Sequence, residues 1–199
     1  MRIIKDKEPI FDTENYDVIL VGTSIYDMLV NGFQGKMACK YPHVEEENHK
    51  QSYGDTRRLG TRVTVKKKGC PIVSLMYICR YPRQDLKNLD YDALKQCLTT
   101  AALEFKGKRI MTTVLGATEF DGNGTKRRVL RMMEKAFDGM DVDVYDYKQR
   151  YRFEENNEKR RQFDAIGITE RSKRTAILRQ LYLLAPKNGE KQAKPETTD

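Results

Sequence analysis

The run Asp17-Val-Ile-Leu-Val21 constrains the fold more than any other stretch of the chain. Four consecutive large apolar residues between polar neighbours are too few for a buried helix. They have no polar face to show water, so they predict a buried central strand. Ile110 to Gly116 (IMTTVLG) reads the same way. Leu59 to Val65 and Ile72 to Tyr81 predict two further strands, joined by the lysine-rich turn KKKGCP. Asp141 to Tyr147 alternates strictly and predicts a strand with one wet face, and Met1 to Lys5 fits a short edge strand.

Between these runs the apolar spacing becomes helical. Ile25, Met28, Leu29, Phe33 and Met37 form one stripe, limited by Pro42. A short acidic helix over His43 to Gln51 follows. Leu94, Leu98, Ala101, Ala102 and Phe105 form a second stripe between Asp90 and Gly107. Val129, Leu130, Met132, Met133, Ala136 and Phe137 form a third, with Thr125 placed to cap it and Gly139 to end it. The order strand, helix, two strands, helix, strand, helix, strand predicts a layered α/β domain over residues 1–148, a mixed sheet flanked by helices. Residues 149–185 are read as a basic helical extension, with Ile177, Leu178, Leu181 and Leu184 along one side. Residues 186–199 hold almost no apolar side chains and are read as a disordered tail.

Composition narrows the function classes. Of 199 residues, 37 are Lys or Arg and 29 Asp or Glu, a net charge of +8 that suits phosphate-bearing partners. Much of the excess lies beyond Arg150. Cys39, Cys70, Cys79 and Cys97 are scattered without a CxxC pair, and the two histidines are His43 and His49. That usage points to a reducing compartment, a cytoplasmic protein, and neither a metal site nor a cofactor. No apolar run is long enough to cross a bilayer, and the N-terminus lacks a signal-peptide pattern.

In sheets of this kind ligands bind beyond the carboxyl ends of the strands. Two glycine-bearing polar loops fall there, Gly22 to Lys36 and Gly116 to Thr125. Glycines let main-chain N–H groups converge on an anion, and a following helix N-terminus adds partial positive charge. The candidate ligand-binding residues are Gly22, Thr23, Asn31, Gly32 and Gly35 on the first loop, and Gly116, Ala117, Thr118, Gly122 and Gly124 on the second. Neither GxGxxG nor GxxxxGK[ST] is present. Three residues each have open alternatives. Asn31 can bind a ribose or close a local hydrogen bond to its own loop. Lys36 can neutralise phosphate, act as a nucleophile if desolvated, or stand as a solvated surface lysine. Asp121 can act as a general base, orient a ribose hydroxyl, or serve as a turn aspartate.

The succession NGFQGKMACKYPHVEEEN (Asn31 to Asn48), LGT (Leu59 to Thr61), LGATEFDGNGTKRRVLRMMEKAF (Leu115 to Phe137) and VDVYDY (Val142 to Tyr147) resembles macro domains. It looks most like the branch of small ADP-ribosyl hydrolases and ADP-ribose phosphate phosphatases. The resemblance spans about residues 17–147. It puts Gly32, Gly35 and Ala38 on the first loop, and Gly116 and Asp121 on the second. It implies ADP-ribose or a related nucleotide in the cleft, with the diphosphate held by loop amides, and in hydrolytic members a polar loop residue assisting attack at the ribose. Here Asp121 would be the base and Lys36 would assist. Both loops diverge from the family pattern. Met37 follows Lys36 where the pattern has a glycine, and Thr118-Glu119-Phe120 intervene before Asp121. The alternative expectation is a non-catalytic interaction protein that keeps the fold and binds a protein or nucleic acid through its basic C-terminal helix.

Overall fold

The structure, a computed structural model, describes residues 1–26, 29, 32–81, 88–117 and 124–147. Six strands form one sheet: β1 (Arg2–Lys5), β2 (Val18–Ser24), β3 (Arg62–Val65), β4 (Ile72–Cys79), β5 (Ile110–Thr113) and β6 (Val142–Asp146). Their order is β1-β6-β5-β2-β4-β3, parallel throughout except for β3, which runs antiparallel to β4 at one edge. The α-helices among the described residues are α1 (Gly32–Lys40), α2 (Pro42–His49), α3 (Tyr91–Glu104) and α4 (Lys126–Ala136).

β2 shows why the sheet is covered on both faces. Val18 and Leu20 enter a core cluster with Leu94, Leu98, Val129, Met133 and Phe137 of the α3 and α4 side. Ile19 and Val21 enter a second cluster with Phe33, Met37 and Val44 of the α1 and α2 side. All four β2 residues are buried, and each contributes about 1.5–3 kcal/mol by leaving water. α3 starts where Asp90 accepts the N–H groups of Asp92 and Ala93 at 3.1 and 3.0 Å.

The layered mixed sheet, the edge position of β1 and the β3–β4 hairpin agree with the sequence reading. Other expectations are corrected. Ile25, Leu29, Phe33 and Met37 are all buried, yet Ile25 and Leu29 are not helical, since β2 carries the chain on to Ser24, and α1 spans Gly32–Lys40. Met28 lies outside the described residues. α2 runs Pro42–His49 rather than reaching Gln51. β3 starts at Arg62, since a 3-10 turn (Thr56–Arg58) and Gly60 at φ +79° turn the chain first. Thr125 stands at the N-cap of α4 but its side chain makes no cap; its N–H donates to the Tyr91 hydroxyl at 2.8 Å. β6 has no wet face through Asp143, which is 1% exposed. β1 pairs beside it in the register Arg2↔Asp143, and the side chains of Arg2, Tyr16 and Arg109 lie over the carboxylate. The expected extension (149–185) and tail (186–199) lie outside the described residues.

Candidate functional site

Because β1, β6, β5, β2 and β4 are parallel, their carboxyl ends share one rim. β2 and β5 are neighbours there, so the loops that leave them are adjacent. On the β5 side, Ala117 N–H donates to Val114 O at 3.1 Å and Gly124 N–H to Gly116 O at 2.8 Å. The second bond ties the two ends of the loop together. Leu89 packs on both glycines: a Cβ on Gly116 (φ +64°) would come within 2.5 Å of Leu89 Cδ1, and one on Gly124 within 2.3 Å of Cδ2 and 2.8 Å of the Gly116 carbonyl oxygen. The mouth of this loop therefore closes only because neither position bears a side chain. Thr118, Asp121 and Gly122, named from sequence, lie outside the described residues, as does Asn31.

On the β2 side the glycines divide by role. Gly22 is inside β2, not in a loop, and a Cβ there would point at Ile78 Cδ1, 2.8 Å away. Thr23 has the opposite orientation along the strand. It is 3% exposed, and its Oγ1 is buried without a hydrogen-bond partner. Gly32 and Gly35 belong to the first turn of α1 rather than to a loop, both buried. First-turn amides of a helix have no intrahelical acceptor and carry its positive end. Gln34 Oε1, in the same turn, is also buried without a partner.

Lys36 is not a solvated surface lysine. Its Nζ donates to Glu8 Oε2 at 2.5 Å and stands 5.8 Å from the centroid of the Tyr147 ring. That contact fixes the Lys36 head group against Glu8, 28 residues earlier in the chain. Glu8 keeps its other oxygen, Oε1, buried and unpartnered. Sequence reasoning missed Glu8, since a carboxylate in the polar stretch DKEP carries no local mark of burial. Cys97 offers no nucleophile either. Burial pushes its thiol up to about 12, and its Sγ donates to Thr61 O at 3.3 Å.

The segment leaving β2 is held by a buried cation that sequence reasoning also missed. Arg58 stacks on the Tyr77 ring at 3.9 Å. Its Nη1 donates to Ile25 O at 2.9 Å and Ser52 O at 2.7 Å, while Tyr77 donates to Asn48 Oδ1 at 2.7 Å. Beside it, Tyr26 stacks on Tyr81 with centroids 6.0 Å apart and meets Tyr53 edge-on at 5.1 Å.

A different polar cluster lies at the opposite, amino-terminal ends of the strands. A hollow of about 360 Å³ is lined by Arg2, Tyr16, Arg109, Asp143 and Tyr145, among others. Its polar groups satisfy one another. Arg2 donates to both Asp143 oxygens at 2.7 Å, Tyr16 to Asp143 Oδ2 at 2.8 Å, and Tyr145 to Asp12 Oδ2 at 2.8 Å. With no orphaned donor or acceptor among those groups, this hollow reads as a structural network. Among the described residues no three His, Cys, Asp or Glu side chains group as metal ligands.

No protein-family model matches the chain, and no curated protein matches its sequence. Solved structures match its shape. A Bacteroides thetaiotaomicron protein of unknown function superposes with a TM-score of 0.63 at 20% identity, over 73% of this chain and 98% of its own. A macrodomain protein from Streptomyces coelicolor gives 0.57 at 17%, over 73% and 99%. The chain has a macrodomain fold. Thermosipho africanus DarTG, solved in complex with ADP-ribose, matches at 0.58 and 13% identity over 73% of this chain and 41% of that longer one. In this macrodomain fold the two loops read from sequence are those that leave β2 and β5, and no helix among the described residues is long and apolar enough to cross a membrane.

Proposed function

We propose that the rim formed by β2, β5 and α1 binds ADP-ribose or a related nucleotide diphosphate. One observation carries this reading. The amide-bearing first turn of α1 and the tied Gly116–Gly124 loop leave adjacent parallel strands, and Thr23 Oγ1 lies buried and unpartnered at the end of the strand that feeds α1. Unsatisfied buried polar atoms are rare in proteins, and a ligand's oxygens or hydroxyls are the partners such atoms lack. The macrodomain fold and the ADP-ribose held by DarTG support the choice of ligand. Lys36, beside Glu8, supplies charge near the rim. In the hydrolytic form of the proposal, Asp121 takes a proton from the water that attacks the ribose carbon, as the bond from that carbon to the modified side chain breaks and the side chain leaves with the bonding electrons.

Calorimetric titration of the full chain with ADP-ribose, AMP and a short RNA tests this. Saturable heat with ADP-ribose and weaker binding of AMP, which lacks the second phosphate, are expected. Gly35→Leu should weaken ADP-ribose binding about tenfold or more by blocking amide approach, with circular dichroism checking the fold. Release of ADP-ribose from a modified protein should fall about 10²–10⁴-fold in Asp121→Ala. Absence of both heat and thermal stabilisation with ADP-ribose overturns the proposal. Salt-steep RNA binding in that case would assign the chain to the interaction-protein class.

A further inference from the structure

We propose that the outer face of α4 docks a nucleic-acid backbone, independently of the nucleotide rim. α4 holds five cations and one acid within 11 residues. Lys126 is paired with Asp146, and the Arg128 guanidinium lies 3.7 Å from the centroid of the Tyr91 ring. Arg127, Arg131 and Lys135 have no ion pair among the described residues, and all three are exposed. They stand four residues apart, so they form one row along the helix with steps of about 6 Å. With Thr125, Arg128 and Met132 they line a shallow hollow of about 550 Å³.

The row is unfavourable by itself. Like charges four residues apart repel, and cations in the first turn oppose the helix dipole. The first turn contains no acidic residue to offset them. A polyanion lying along the row relieves both effects, and charge complementarity thus selects the occupant. Three of the four cations at the hollow are arginines, whose planar forks pair with phosphate through two parallel hydrogen bonds. Evenly spaced cations suit a backbone with repeating charge better than a single acidic patch. A membrane is a poorer fit, since none of the exposed large apolar residues among the described residues (Met1, Ile3, Tyr53, Tyr81 and Leu103) lies on α4.

The test is fluorescence anisotropy of the full chain with labelled 20-nucleotide RNA, single-stranded DNA and duplex DNA, at several salt concentrations. The variant Arg127→Gln/Arg131→Gln/Lys135→Gln is compared with Lys173→Gln/Arg174→Gln/Arg179→Gln from the C-terminal region. The α4 variant should lose about tenfold or more in affinity at low salt. Its salt slope should shrink by about 2–3, at roughly 0.7–0.9 per neutralised phosphate contact. Its melting temperature and its ADP-ribose heat should stay at wild-type values, which separates this result from failure of the rim proposal. Unchanged affinity and slope in the α4 variant, with loss confined to the C-terminal variant, overturns the inference. Equal competition by polyglutamate at matched charge also overturns it, by assigning the face to acidic proteins.

Discussion

Asp143 stays charged although it is almost wholly buried. Burial pushes its carboxyl up, but the hydrogen bonds from Arg2 and Tyr16 and the charges of Arg2 and Arg109 outweigh that and hold it below the usual carboxylate range. A folded pKa below the unfolded one stabilises the protein above about pH 4, and the contribution is lost as pH falls through the folded value. Asp143→Asn should therefore cost about 2–3 kcal/mol at pH 7, because Arg2 and Tyr16 lose a charged acceptor. Urea unfolding at pH 7 and at pH 3 checks this: the gap between wild type and variant should narrow in acid. None of it was readable locally. In the alternating VDVYDY stretch an aspartate predicts a wet face, and its arginine stands 141 residues away. Glu8 was hidden for the same reason: its partner Lys36 is on another element.

Elements were more readable than the residues that tie them. β2 and β5 were evident because strands buried on both faces read as short runs without charge, Val18–Val21 opening β2 and Ile110 and Met111 opening β5, and α3 because its stripe is bounded by Asp90 and Gly107. α1 was misplaced at its start, since Ile25 and Leu29 keep helical spacing while the strand continues to Ser24. The second loop was found from its glycines, but their reason is the packing of Leu89 and the bond between loop ends, neither of which is a local signal. The two positions should also differ under substitution. At Gly116 an added methyl meets the end of a flexible side chain and a left-handed backbone, whereas at Gly124 it also meets a backbone oxygen. Gly124→Ala should destabilise by about 1–3 kcal/mol. Leu89→Ala in that background should not restore the protection of the Gly124 amide in hydrogen exchange.

At the scale of the whole molecule, the sheet order places the first described strand beside the last. We propose that the domain boundary is near Lys148, just past β6. A chain ending there should unfold in one cooperative urea transition, with a far-ultraviolet spectrum of mixed helix and strand. A chain ending at Asp138 lacks β6, so among the described residues β1 loses its only partner strand and β5 one of its two; it should show no cooperative transition. The class of fold could be read from the order of runs along the chain. The pairing of β1 with β6 could not, because nothing in either segment names the other.

That pairing also has a consequence during synthesis. As the chain leaves the ribosome, Arg2–Lys5 must wait for residues more than a hundred positions later before it can join anything. At about 5–20 residues per second, the delay is roughly seven to thirty seconds. Through that interval β2, β4 and β5 can already assemble, and the outer edge of β5 stands as an unsealed seam until β6 emerges and brings Arg2–Lys5 in beside it.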